Sequence, residues 1–569
     1  MNRTVLRPVA AFCALVLPVA MFAEEPVDLL TIHKIKAEAL ENSHVMDHMF
    51  YLTDVTGHRL TNSPGYKKAG EWAVKQLQEY GLNNVRMEKW GPFGKGWTYT
   101  KFSAYMIEPA YSTIIGFPQA WTPGTNGPVE AEVVMVQIRT EADLDKWKGK
   151  LKGKIVLDSL ARETPLGLTP LASRYTADGL AQTAQAAEPS VRGGRGGGAF
   201  GAADAPISSI MAPPSGEPFV GGGLGGPGGP GGDPTQMANM MRQRGLRTKV
   251  NKFFIEEGVV ALVNPGYRGD WGTVFSSAGG SRDQKELPPT TIAVAAENYN
   301  RMIRLLEKKI PVKMGLDIKA EFIEGDESFN VIGEIPGTTK KDELVMLGAH
   351  LDSWHGGTGA TDNAAGCSVA MEAARIMMAQ GLKPKRTVRI ALWGGEEEGL
   401  LGSRAYVKEH FADRETMKLT ADHSKVSGYF NLDNGTGKVR GIYDQGNDMI
   451  RPIFEAWMKP FLDMGATTVT NRNTGGTDHQ AFDAIGLPGF QFIQDPMEYD
   501  TRTHHSNMDV ADHISRADLM QASAVMAAFV YNTAMRDEML PRKPLPKPQP
   551  ARGQGGRGAS GGAPTAPGN

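Results

Sequence analysis

The sequence contains few cysteines, and its net charge is close to zero. Its 569 residues include only two cysteines, and one of these, Cys13, falls in a segment that we expect to be removed. Cys367 is then the only thiol, so an intramolecular disulfide is excluded and stability must come from burial and bound ions. Lys and Arg number 61 against 63 Asp and Glu, a net charge of −2. A protein with so small a net charge has no strong electrostatic field that would favour nucleic acid or a membrane surface as a partner.

Residues 1–23 have the pattern of a secretory signal peptide. Arg3 and Arg7 precede the apolar stretch Pro8–Phe22, and Ala23 is a suitable cleavage point. The apolar stretch is shorter than the roughly 20 residues of a membrane span and contains two prolines, so a retained anchor is the weaker interpretation. We expect an exported protein, secreted or periplasmic, without stable membrane insertion.

Glycine and proline, 68 and 36 residues respectively, are concentrated in two segments. We interpret 192–232 as a disordered Gly-rich loop and 541–569 as a disordered tail, because neither can bury enough apolar surface to offset its ordering entropy. Short β-rich runs between 128 and 321 predict a separate module that contains the loop. Alternating strands and helices over 322–540 predict an α/β domain, to which 24–127 contributes the N-terminal part.

Metal-binding side chains follow the predicted strands of the α/β region. The strands are predicted at Glu343–Ala349, Thr387–Trp393, Ser427–Leu432 and Gly489–Ile493. At or after their carboxyl ends stand His350, Glu396, Glu397, Asp433, His504 and His505, and Asp362 begins the helix after the first strand. Ligands of open α/β sheets gather at the carboxyl ends of the strands, so we expect these side chains to share one cleft.

Several carboxylates and histidines in one cleft predict a metal centre, because a multivalent cation offsets their mutual repulsion. Imidazole and carboxylate without thiolate suit zinc, with Mn²⁺ or Co²⁺ as substitutes. Five ligands exceed the needs of one tetrahedral ion with an open position, but they suit two ions about 3.5–4 Å apart bridged by a carboxylate. We therefore expect two Zn²⁺ per chain.

Six motifs in order resemble the zinc peptidases of family M28, in particular its PA-domain-containing carboxypeptidase Q branch. They are GAHLDSW at 348–354, GATDNAAG at 359–366, LWGGEEEGLLGS at 392–403, NLDNGTG at 431–437, GGTDHQAF at 475–482 and HHSNMD at 504–509. The resemblance implies a mixed-sheet, three-layer α/β zinc-peptidase domain, with the β-rich module as an inserted PA domain. The Gly-rich insertion departs from the family pattern.

The resemblance also implies a role for each candidate ligand. His350 and Asp433 bind different ions, Asp362 bridges the two, and Glu397 and His505 complete the set. Glu396 is the general base, which takes a proton from the metal-activated water. His505 is preferred over His504 because the family's H-x-x-x-D spacing pairs His505 with Asp509.

Other residues near the motifs have weaker assignments. Asp352 lies two positions after His350 and can accept the second imidazole N–H. The Tyr499 phenol donates a hydrogen bond to an oxyanion or is an ordinary half-buried tyrosine. Asp478 orients ligands or lies near the substrate amine.

We interpret Glu398 as part of a solvated acidic helix start, and Cys367 as a small apolar group that points away from the site. His355 and His479 are expected to be cleft-lining or structural.

The resemblance implies an exopeptidase that hydrolyses short peptides, as an aminopeptidase or as a dipeptidase with carboxypeptidase Q-like preference. The alternative is a non-catalytic peptide-binding or receptor-like protein on the same scaffold. A homodimer is compatible with the sequence.

Overall fold

The computed structural model describes residues 25–185 and 234–548. The expected signal peptide at 1–23, the Gly-rich loop at 192–232 and most of the tail at 541–569 lie outside these ranges, and these assignments stay predictions. Within the described ranges, no helix has the length and apolar character that crossing a bilayer requires.

Most strands lie in two eight-stranded sheets. In chain order they are β1 (Asn83–Trp90), β2 (Gly96–Glu108), β3 (Ser112–Thr113), β4 (Gly116–Pro118), β5 (Val129–Met135), β6 (Ile155–Leu157), β7 (Ala261–Asn264), β8 (Thr291–Val294), β9 (Lys313–Ile323), β10 (Ser328–Ile335), β11 (Lys340–His350), β12 (Arg386–Trp393), β13 (Ala412–Asp413), β14 (Lys418–Leu419), β15 (Val426–Asn431), β16 (Val439–Tyr443), β17 (Thr468–Thr470) and β18 (Gly489–Gln494). The short strands β13 and β14 pair only with each other.

The α-helices surround these sheets. They are α1 (Leu29–Glu41), α2 (Val45–Phe50), α3 (Pro64–Glu79), α4 (Ala142–Trp147), α5 (Ala177–Ala184), α6 (Pro234–Glu256), α7 (Ala296–Glu307), α8 (Ala365–Ala379), α9 (Leu401–His410), α10 (Arg451–Met458), α11 (His479–Asp483) and α12 (Arg516–Met535). Short 3-10 and π-helical turns connect several of them.

The first sheet has the order β1-β10-β12-β11-β15-β18-β16-β17. Its centre, β12-β11-β15-β18, is parallel, while β10 and β16 pair antiparallel with their inner neighbours, so the sheet is mixed. Alternate residues of β11 enter opposite cores: Val345 and Leu347 pack toward α8 and α12, whereas Met346 packs toward α9 and α11. Burial of both faces explains why the strands read as continuous apolar runs. The predicted three-layer α/β fold is confirmed.

The predicted elements of this region agree with the observed ones to within a few residues at each end. The N-terminus of α12 differs in detail. The order of Ser515 and, three residues later, Asp518 predicts a capping box, but the Ser515 side chain makes no cap hydrogen bond. The Asp518 carboxylate instead binds Arg174, with Nη2 at 2.7 Å. A long-range ion pair therefore replaces the local cap.

The second sheet has the order β3-β2-β9-β5-β6-β7-β8-β4. All its strands come from residues 96–323, between β1 and β10 of the first sheet. The sheet begins earlier than the expected module boundary at 128, because β2 pairs along most of its length with β9. The division into domains, and the identity of this module as a PA domain, remain predictions.

The second sheet's region lies on the first sheet at the carboxyl ends of its central strands. Ser173 forms an antiparallel bridge with Met497, and Phe275 forms another with Ser506. Arg174 adds an ion pair to Asp495, with Nη1 at 2.8 Å from Oδ2. The region between β1 and β10 therefore covers the edge at which the candidate ligands were predicted to lie.

Arg59 connects the N-terminal helices to the loop after β11. Its guanidinium is fully buried and donates hydrogen bonds, 2.6–2.8 Å long, to the backbone carbonyls of Leu52, Leu351, Thr358 and Gly359. One side chain therefore holds both ends of the 351–359 loop, which follows His350.

We expect Arg59→Met to lower the free energy of unfolding by at least about 3 kcal/mol, because several buried carbonyls lose their donor at roughly 1–3 kcal/mol each. Chemical denaturation of the variant beside Lys75→Met, whose side chain is 76% exposed, measures the difference. Equal midpoints for the two variants would show that Arg59 does not support the loop.

Candidate metal centre

The candidate ligands lie at the carboxyl edge of the parallel strands, as predicted. His350 is the last residue of β11, Asp433 follows β15, and Glu397 lies in the turn between β12 and α9. Asp362 lies in the turn before α8, and His505 lies in the loop after β18. Parallel strands end at one edge, so residues far apart in sequence become neighbours.

Two clusters of ligand atoms share Asp362. In the first, His350 Nε2 lies 3.2 Å from Asp362 Oδ1 and 3.3 Å from Asp433 Oδ1. In the second, His505 Nε2 lies 3.2 Å from Asp362 Oδ2 and 3.0 Å from Glu397 Oε2. Each oxygen of the Asp362 carboxylate thus faces a different imidazole.

This arrangement differs in one respect from the one that the resemblance implied. His350 and Asp433 were expected on different ions, but their ligand atoms belong to the same cluster with Asp362. The expectation was wrong because adjacent parallel strands, β11 and β15, deliver the two residues side by side. Glu397, which follows β12, lies with His505 instead.

His504 competes for the second cluster. Its Nε2 lies 3.6 Å from Asp362 Oδ2, and its ring packs against that of His505 with centroids 3.7 Å apart. His505 is nearer to Asp362 and contacts Glu397 as well. The shorter distances favour His505 as the ligand of this cluster.

The electrostatics of the clusters fit a cation. Burial raises the pKa of Glu397 to about 7, and the Asp362 carboxylate adds to the effect. Burial also raises the pKa of Glu396 well above its usual range. Asp362 Oδ2 is buried and makes no hydrogen bond, although His505 Nε2 is close. Oxygen and imidazole donors that converge without thiolate match the preference of zinc.

The pKa values of the two candidate histidine ligands are raised as well. Burial lowers the pKa of His350, but Asp433 and Glu396 outweigh it and raise the pKa well above that of a free imidazole. His505 behaves in the same way beside Glu397 and Asp362. Without a cation, protons on the imidazoles neutralise the carboxylates, so metal binding should release protons.

Asp352 has a different role from the expected one. His350 Nδ1 contacts the backbone carbonyl of Asp352 at 3.0 Å, whereas the Asp352 carboxylate lies 3.8 Å away. Its two oxygens accept the backbone N–H groups of Glu396 and Glu397, at 3.2 and 3.1 Å. A fully buried carboxylate needs such donors. Asp352 therefore fixes the turn that carries the adjacent glutamates.

Glu398 was expected at a solvated helix start, and this is wrong. The chain turns after β12, and α9 begins only at Leu401. Glu398 is buried, and its Oε2 accepts a hydrogen bond from Thr61 Oγ1 at 2.9 Å. Burial raises its pKa well above the usual range of a glutamate.

The remaining residues that the sequence analysis named are Tyr499, Asp478, His355 and His479. Tyr499 is buried, with its ring 4.7 Å from that of His504. Asp478 is fully buried, which raises its pKa to about 7. His355 and His479 contact backbone carbonyls, of Pro118 and Thr474, at 2.7 and 3.1 Å.

Cys367 does not point away from the site, contrary to expectation. Its buried thiol donates to the backbone carbonyl of His350 at 2.9 Å, because α8 packs directly on β11. Burial raises the pKa of this thiol to about 12, which disfavours a thiolate ligand.

Asp509 fixes the position of the shared carboxylate. Its Oδ1 accepts the backbone N–H of Thr361 at 2.6 Å and the Thr361 hydroxyl at 2.8 Å, and its Oδ2 faces the N–H of Asp362 at 3.3 Å. The spacing from His505 singled out Asp509, whereas no sequence signal identified Arg59 as the support of the opposite loop.

Comparison with known proteins agrees with this geometry. Residues 330–530 match the family model described as Peptidase family M28. Carboxypeptidase Q from Mus musculus is 32% identical over 252 residues, which cover 44% of this chain and 51% of that protein. The chain thus aligns with about half the length of the curated relatives.

Solved structures cover more of the chain. A Peptidase M28 precursor from Shewanella amazonensis SB2B matches with a TM-score of 0.60 and 25% identity, over 91% of this chain and 98% of that one. BSAP, a zinc aminopeptidase from Bacillus subtilis, matches with a TM-score of 0.50 and 18% identity, over 87% and 96%. The second match supports the fold alone.

We expect Asp352→Asn to weaken zinc affinity by about 10- to 100-fold, because an amide offers one acceptor oxygen where two N–H groups need acceptors. Competition with a chromogenic chelator measures the affinity, and Asp463→Asn, at a carboxylate that is 68% exposed, is the control. Unchanged affinity would show that the Glu396–Glu397 turn needs no support from Asp352.

Proposed function

We propose that this protein is an exported exopeptidase that binds two Zn²⁺ ions and hydrolyses short peptides. The observation that carries the proposal is the pair of clusters that share Asp362, with each carboxylate oxygen facing one imidazole. The match of residues 330–530 to the model of Peptidase family M28 supports a peptidase. Export rests on the signal-like residues 1–23.

His350, Asp362 and Asp433 would hold one ion, and Asp362, Glu397 and His505 the other. This grouping follows the two observed clusters. Bound zinc polarises a carbonyl and lowers the pKa of water to about 7, so no serine or cysteine nucleophile is needed.

Glu396 is the proposed general base. It is buried next to Glu397, its backbone N–H donates to Asp352, and its carboxylate is one of the charges that raise the pKa of His350. In this role it accepts the proton of the attacking water and passes it to the leaving amine. Burial raises its pKa, which favours the proton-accepting step in a group that otherwise would be a weak base.

The relatives carry both kinds of exopeptidase name, carboxypeptidase Q and zinc aminopeptidase. A peptide with a free amine and a free carboxylate satisfies both descriptions, so we propose short peptides as the substrate class.

The purified protein should carry close to two zinc ions per chain, and a strong chelator should abolish peptide hydrolysis until zinc is returned. Elemental analysis together with turnover of a dipeptide library measures both. Full activity after exhaustive chelation would contradict a metallopeptidase. Bound zinc without turnover of any peptide would instead support a non-catalytic, peptide-binding protein.

Substitution of the adjacent glutamates separates their roles. Glu396→Gln cannot accept a proton, so turnover should fall by at least about 100-fold while zinc content is kept. Glu397→Gln replaces an anionic ligand with a neutral amide, so zinc content and turnover should both fall, and added zinc should restore part of the rate.

Zinc content and turnover are measured in parallel for both variants. Loss of zinc in Glu396→Gln with retention in Glu397→Gln would reverse the two assignments. Full activity in both variants would show that the cleft at the strand ends is not the catalytic site.

A further inference from the structure

His505 differs from the ligands of the first cluster in how its backbone is held. His350 ends β11, within the pairing of that strand with β12, and Asp433 follows β15 directly. His505 lies in the loop after β18 (residues 495–509), well beyond the end of that strand at Gln494. The strand ladders of the first sheet therefore fix the first cluster's ligands, whereas His505 needs other supports.

Residues 171–175, from the region between β1 and β10, lie along this loop. Ser173 and Met497 exchange both backbone hydrogen bonds, at 3.0 and 2.8 Å. The Thr501 hydroxyl donates to the backbone carbonyl of Leu171 at 2.9 Å. The segment therefore pairs with the loop from outside the first sheet.

Arg174 joins this segment to two buried carboxylates. Its Nη1 lies 2.8 Å from Asp495 Oδ2, and its Nη2 lies 2.7 Å from Asp518 Oδ2. The side chains of these acids are 0% and 4% exposed. Arg440 of β16 also binds Asp495, with Nη1 at 3.0 Å from Oδ1. Loss of one partner leaves a buried charge uncompensated, so the start of the loop depends on Arg174.

The backbone of the loop is strained at two residues. Met497 and His505 have φ angles of 50° and 64°, in the left-handed region that is costly for residues other than glycine. Both are held by the region between β1 and β10: Met497 by Ser173, and His505 through its carbonyl, which accepts the N–H of Ser276 at 3.3 Å. Such conformations persist where the surrounding contacts over-determine the backbone.

Contacts from the first sheet's region hold the inner side of the same loop. The Thr361 hydroxyl contacts Thr503 Oγ1 and Asp509 Oδ1, both at 2.8 Å. Neither contact bears on the strained peptide at Met497. The outer contacts are therefore needed to keep the path of the chain that leads to His505.

We propose that Arg174 is a positioning residue of the second cluster. Without it, the strained loop relaxes and the His505 imidazole moves away from its cluster, so the second ion depends on the region between β1 and β10. The first ion, held by ligands at strand ends, does not. The proposal rests on the proposed two-ion site and assigns different supports to its two halves.

Two backgrounds isolate the clusters in the full-length protein. Asp433→Asn removes a ligand of the first cluster and His505→Ala one of the second, so each should keep a single zinc ion by elemental analysis. Competition with a chromogenic chelator then measures zinc affinity with and without Arg174→Met. The affinity should fall about 10- to 100-fold in the Asp433→Asn background and by less than about twofold in the His505→Ala background.

Arg174→Lys keeps the charge without the planar fork that binds both carboxylates, so it should recover part of the affinity. Arg536→Met is the matched control. Arg536 follows the 20-residue helix α12, whose first turn contains Asp518, and its Nε lies 2.6 Å from Glu25 Oε1. Loss of this ion pair, about 30 Å along the helix, should leave zinc affinity unchanged in both backgrounds. Thermal melting of each variant checks folding.

Turnover is a second readout, in enzyme that carries no other substitution. Arg174→Met should lower kcat for a dipeptide at limiting zinc, and saturating zinc should restore most of it, because the variant lacks an ion and not a substrate contact. A loss of kcat that zinc does not restore would contradict a positioning role toward the metal.

Equal losses of zinc affinity in the two backgrounds would assign Arg174 a general structural role and overturn the proposal, as would unchanged affinity in both. An unmodified protein that holds a single zinc ion would overturn the two-ion site itself. Two bound ions, of which one depends on Arg174, in a protein that hydrolyses no peptide would overturn only the peptidase function.

Discussion

The carboxylates of Asp362, Asp433 and Glu397 are buried next to one another, where water cannot solvate them. Burial of an ionised carboxylate lowers the stability of the folded state unless hydrogen-bond donors or cations lie next to it. The surrounding fold provides fixed donors for the neighbouring acids: Thr361 for Asp509, and the β12–α9 turn for Asp352. These acids in turn position the ligands. The charge of the clusters themselves is what the proposed metal ions would neutralise.

This constraint explains why supports come from distant parts of the chain. Arg59 holds the 351–359 loop through backbone carbonyls, whereas the clusters take their ligands from the strand ends. A guanidinium that is bound to carbonyls does not compete with the metal for the carboxylates. The loop is therefore fixed without reducing the negative charge that attracts the ions.

The sequence predicted which side chains converge at one edge of the sheet, because buried strands appear as apolar runs and parallel strands end at one edge. It failed where the result depends on the path of a loop. The grouping of His350 with Asp433, the acceptors of Asp352 and the burial of Glu398 all depend on how turns close in space. The bridge between Phe275 and Ser506 joins residues more than 200 positions apart, and no local pattern encodes it.

The region between β1 and β10 supports the same edge of the first sheet without contributing a candidate ligand. The backbone carbonyl of His505 accepts the N–H of Ser276 at 3.3 Å, and Asn507 Oδ1 accepts the N–H of Val274 at 2.7 Å. The loop that carries His505 is therefore held from outside the first sheet. The position of one candidate imidazole thus depends on a segment that lies more than 200 residues earlier in the chain.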